Sequence, residues 1–111
     1  MSVMTKSPFL LVKQLEGDIL RLLSHLDTTL LETKEQHLIA QLKNGLIDAR
    51  LEIQDYELAE TRDNQLRNAT DAKKYLIKIE KFITTNPAGA FGAVDTAHIF
   101  AQIGQISDRL K

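Results

Sequence analysis

Apolar residues recur along this chain at alternating intervals of three and four, the spacing that keeps side chains on one face of an α-helix. The first stretch opens at Ser7 and Pro8, a capping hydroxyl followed by a proline whose missing N–H costs nothing in a first helical turn. Val12, Leu15, Ile19, Leu22 and Leu26 form its stripe, widened by Leu11, Leu23 and Leu30, while Gly17 lies on the far side. The stripe falters between Asp27 and Thr33, where a turn is expected. Thr33 followed by Gln36 has the pattern of a capping box for the next helix.

The second stretch carries two apolar rows. Ile39, Leu42, Leu46, Ala49, Ile53 and Tyr56 follow a heptad seam. Ala40, Ile47, Leu51 and Leu58 form another row almost 180° around the same helix, at about 100° per residue. The phase of the first seam is lost before Leu66, and a new stripe runs through Leu66, Ala69, Ala72, Leu76, Ile79 and Ile83 with Tyr75 and Phe82 on its flank. Thr61 to Asn64 has the residue types of a turn but no Gly or Pro, so residues 33–84 also admit one continuous helix of about 50 residues and 75 Å. The uncommonness of such lengths in small domains favours the turn. Asn86 to Gly92 is the clear loop, and a last helix presents Ile99, Ile103, Ile106 and Leu110 on one face, with Phe100 beside them.

No alternating β-branched segment bounded by turns is present, so no strand is expected. The fold class is therefore all-α: an antiparallel up-down bundle of four helices of about 24, 27, 22 and 18 residues, or of three if residues 33–84 are continuous. The 111 residues and 43% apolar content suit a single domain spanning 1–111. No leader is expected from the polar residues 1–6, and no window approaches the length of a membrane span, so a soluble cytoplasmic protein is the expectation. The absence of cysteine removes disulfides, thiolate metal sites and thiol nucleophiles.

Candidate chemistry is sparse. His25 and His37 flank the first turn, with Glu32 and Glu35 nearby, but neither belongs to a His-x-x-x-His pair, and His98 lies one turn from Asp95. No Glu-x-x-His motif supports a di-iron bundle. Gly89 to Gly92 lacks the strand and the Gly-Lys-Ser/Thr ending of a phosphate loop, and no serine sits in a Gly-x-Ser-x-Gly elbow. No catalytic, cofactor-binding or metal-ligating residue is assigned, and no enzyme is expected.

Charge changes the picture once it is divided along the chain. The net charge is −1, yet residues 34–60 hold three bases and six acids while residues 61–84 hold six bases and three acids. Asp48, Glu52 and Asp55 make an acidic ridge, and Arg67, Lys74, Lys78 and Lys81 a basic one. With a turn near Thr61, Asp48 would face Lys74 and Lys43 would face Glu80, whereas Glu52 would oppose Asp71.

A bundle helix needs one broad apolar stripe, so the Ala40, Ile47, Leu51 and Leu58 row is surplus, and surplus rows mark interfaces. The leading expectation is a non-enzymatic protein–protein interaction module in a scaffold, adaptor or regulatory role. It would self-associate as a dimer or dock a partner helix through that row. The alternative is a helical nucleic-acid-binding module using the basic ridge Arg67, Lys74, Lys78 and Lys81.

Overall fold

The first helix starts where the sequence places it. In the computed structural model, which describes residues 7–110, the Ser7 hydroxyl accepts the Leu10 N–H at 3.3 Å and Pro8 opens α1 (Pro8–Ser24). The polar residues 1–6, read above as carrying no leader, and residue 111 lie outside the described residues.

α1 is 17 residues long, shorter than its stripe implies. Asp27 is the reason: its carboxylate accepts the Thr29 N–H at 3.0 Å and the Thr29 hydroxyl at 2.6 Å. This local bonding competes with continued helix and nucleates a 3-10 turn over Thr28–Leu30. Leu26 stays half-buried against the core, whereas Leu30 is carried outward and is 80% exposed.

α2 (Thr33–Leu58) is capped differently from the expected box. Glu32 is the N-cap and contributes no side-chain bond, and Thr33 is already helical. The Gln36 amide donates instead to the carbonyls of Leu31 (3.1 Å) and Thr28 (3.4 Å), tying the 3-10 turn to the first turn of α2. Its position three residues after Thr33 imitates a box, but the carbonyls it serves belong to the preceding turn.

The turn near Thr61 exists, which excludes the continuous helix and leaves four helices. Ala59 is extended, and the Thr61 hydroxyl accepts the Asn64 N–H at 3.2 Å to start α3 (Arg62–Thr85). No glycine is needed, because a capping threonine after an extended residue reverses the chain within allowed backbone space.

α3 ends at Asn86 in the left-handed conformation, φ 50° and ψ 61°, with its N–H donating to the carbonyls of Phe82 and Ile83. The Asn86 side-chain oxygen accepts the Phe91 N–H at 2.8 Å, and Phe91 and Pro87 are buried beneath this loop. A second 3-10 turn spans Pro87–Gly89, and α4 (Ala93–Arg109) follows.

The helices pack in a cycle: α1 on α2, α2 on α3, α3 on α4 and α4 on α1, with α2 and α3 sharing the most extensive contact. Small residues are among those lining that contact. Ala49 and Ala72 are fully buried, and a Cβ added at Gly45 would stand 3.8 Å from Ile79 Cγ1. All four helices supply one core, from Val12, Leu15 and Ile19 through Leu42, Leu46 and Ile53 to Leu76, Ile79, Ile99 and Ile106. The inner row of α2 is buried at every position from Ile39 to Tyr56. The stripe on α3 departs from expectation at Leu66, 44% exposed, because only one turn of helix separates it from the chain reversal.

Polar ties also run between the helices. Arg50 Nε lies 3.5 Å from Glu16 Oε1, and the Phe9 N–H donates to Glu57 Oε1 at 3.1 Å. The Tyr56 hydroxyl donates to the Arg109 carbonyl at 3.2 Å, satisfying one of the acceptors left open at the end of α4. No described helix is long and apolar enough to cross a membrane.

Gly17 lies inside α1 with nothing within 4 Å of where a Cβ would stand. Gly17→Ala should therefore stabilise the fold by about 0.5–1 kcal/mol, raising Tm by about 2–8 °C in thermal unfolding.

Candidate interaction surface

The outer row of α2 is exposed along its whole length. Ala40 faces solvent, and Ile47, Leu51 and Leu58 are 40%, 49% and 69% exposed. The placement follows from the helix itself. The inner row is taken up in the common core, with α1 and α3 packed on α2, and a row half a turn away can only point out of the bundle. Asn44 and Gln54, both exposed, interrupt the row and keep it from being uniformly greasy.

Its two flanks differ in charge. Toward α3 stand Asp48, Glu52 and Asp55. Glu52 is half-buried between the helices, and its carboxyl is held above the usual range, first by loss of solvation and then by Asp71, Asp55 and Asp48. The expected opposition of Glu52 and Asp71 is therefore real. The expected pairing of Asp48 with Lys74 is not among the ion pairs of the described residues: Lys74 reaches Asp71 on its own helix at 4.0 Å. Nor does Lys43 pair with Glu80, which is half-buried on α3 while Lys43 projects outward.

The basic ridge is present as a line of exposed side chains. Arg67, Lys74, Lys78 and Lys81 all face solvent, with Lys78 Nζ 5.5 Å from the centre of the Tyr75 ring. Tyr75 and Phe82 are half-buried beside the core and line a groove of about 480 Å³ between α2 and α3, together with Leu38, Gly45 and Asp48. Their place on the core flank follows from helical spacing, whereas the groove depends on how α2 and α3 pack and carries no signature in the sequence.

The structure does not assemble the histidines into a site. His25 and His37 are exposed on either side of the 3-10 turn, and no group of three or more His, Asp or Glu side chains among the described residues is placed to hold a metal ion. His98 sits on the surface of α4, its Nε2 3.8 Å from Asp18 Oδ2. Asp18 also accepts from the Gln102 amide at 2.9 Å and from Arg21 at 3.3 Å, forming a polar seam between α1 and α4 that spacing alone could not reveal. The signal available was only that Asp18 adjoins the core residue Ile19.

Comparison with protein-family models, with curated proteins and with solved structures gave no match. The functional reading rests on this surface and its chemistry.

The raised Glu52 carboxyl has a definite consequence for stability. The folded state holds that proton more tightly than the unfolded chain, so the ionised group opposes folding at neutral pH, and the penalty fades as pH falls through its raised value into the ordinary carboxylate range. Glu52→Gln should raise Tm at pH 7 by about 1–3 °C, and the difference from the parent chain should shrink toward zero near about pH 4, as thermal unfolding across pH would record.

Proposed function

We propose that this protein is a non-enzymatic helical protein–protein interaction module, serving as a scaffold, adaptor or regulator, and that it self-associates through the outer face of α2. The observation that carries the reading is that Ala40, Ile47, Leu51 and Leu58 are all solvent-exposed on one line of the longest helix, opposite a core row that is already complete. Apolar side chains exposed singly are ordinary. A row of them at helical spacing, with polar residues on both sides, is what a partner helix covers. The cysteine-free composition supports a reducing, cytoplasmic setting.

A second reading, nucleic-acid binding, is supported by the exposed line of Arg67, Lys74, Lys78 and Lys81. Asp71 beside Lys74 and the acidic flank of α2 reduce its field. Under that reading, mobility shifts at low salt would weaken with a log–log salt slope of about −3 to −4 and vanish when Lys74→Glu and Lys78→Glu are combined. Absence of any shift at low salt excludes it.

For the leading reading, Leu51→Glu with Leu58→Glu should give a soluble, folded monomer, judged by far-UV circular dichroism and light scattering. Loss of the folded state would assign the row to the monomer's own core instead.

A further inference from the structure

Resting on the reading of α2 as a docking face, we propose that its occupant is a second copy of this chain, aligned parallel and in register, so that two α2 helices form a short two-stranded coiled coil between two bundles. The outer row has the required periodicity. Asn44, Leu51 and Leu58 recur every seven residues as one set of seam positions, and Ala40, Ile47 and Gln54 as the other, with alternating steps of four and three between them. All six side chains are exposed in the isolated chain.

Charge selects both the partner and its direction. The positions flanking the seam are Gln41, Asp48 and Asp55 on the α3 side, and Lys43, Arg50 and Glu57 on the α1 side. In a parallel pair, each α1-side position meets the α3-side position five residues later on the other helix. Lys43 then faces the Asp48 of the second copy and Arg50 faces its Asp55, and the two-fold axis doubles both, giving four attractive pairs and no repulsive one. The symmetric antiparallel alignment of the same row brings Lys43 to Glu57, but it also brings Arg50 to Arg50 and Asp48 to Asp48. The groups needed for the parallel pair are at hand: among the described residues no ion pair engages Lys43, Asp48 or Asp55 within the chain, and Arg50 uses its Nε edge on Glu16.

The polar seam positions are compatible with self-pairing of the row. In parallel register Asn44 meets Asn44 and Gln54 meets Gln54, and in the antiparallel alignment Asn44 meets Gln54, so amides meet amides in both and the flanking charges alone set the direction. A single polar residue at such a position is a recognised means of fixing register and strand number. α1 and α3 flank α2 and leave its outward face open along the row.

The chain lacks cysteine, so one introduced thiol reports the geometry directly. Light scattering should give about 25 kDa, twice the 12.5 kDa of one chain. Asn44→Cys alone should form a covalent dimer under mild oxidation, as in-register seam positions come within disulfide reach. Lys43→Glu and Asp48→Lys should each raise the dimer Kd by about 5–30-fold, and the two together should restore it to within about twofold. A dimer in which Asn44→Cys cross-links only to a chain carrying Gln54→Cys is antiparallel and overturns the proposal while leaving the docking face intact. A dimer indifferent to Leu51→Glu with Leu58→Glu overturns the docking face itself. A particle of 12.5 kDa at all concentrations overturns self-association.

Discussion

The close antiparallel packing of α2 on α3 is the constraint from which the rest of the bundle follows. These are the two longest helices, 26 and 24 residues, joined by a reversal of three residues, with Ala49 and Ala72 fully buried. Once that pair is formed, the inner row of α2 and the stripe of α3 make a single apolar trough. α1 and α4, 17 residues each, fill it and contact one another above it. Because one face of α2 is committed to the trough, its opposite face stays exposed among the described residues. The exposed row is therefore a product of the same packing that builds the core.

The rows themselves were legible, because burial in a bundle follows helical periodicity and little else. Every residue of the inner row from Ile39 to Tyr56 is buried, and every member of the outer row is exposed. What spacing could not supply was the chemistry of the ends. The stop of α1 depends on one carboxylate, Asp27, choosing local bonds over helix. The apparent capping box failed because the Gln36 side chain donates to the carbonyls of Thr28 and Leu31 rather than accepting the Thr33 N–H. Contacts between distant segments, such as Asp18 with Gln102, carry no sequence signature. The reversal at Thr61 was readable only as a set of capping residue types.

Charge segregation has a different standing from apolar pattern in this fold. An acidic α2 beside a basic α3 looks like a device for pairing them, yet among the described residues the ion pair from α2 to another helix runs from Arg50 to Glu16 on α1, and across the α2–α3 boundary Glu52 feels the repulsion of Asp71. The hairpin is held by apolar contact and tolerates that repulsion. Surface ion pairs are worth a few tenths of a kcal/mol to about 1 kcal/mol, well below the ~2–5 kcal/mol set by a single large core side chain, so apolar registry prevails. The uncompensated acids are left facing outward, along the margin of the exposed row.

One pair of contacts has a mechanical meaning for the molecule. Phe9 at the start of α1 and Arg109 at the end of α4 are bound by neighbouring residues of α2, Glu57 and Tyr56, in its last turn. The two ends of the described chain thus meet the same turn of α2. Fraying of that one turn would loosen a polar tie at both ends at once, which couples local opening at the two termini to the end of α2.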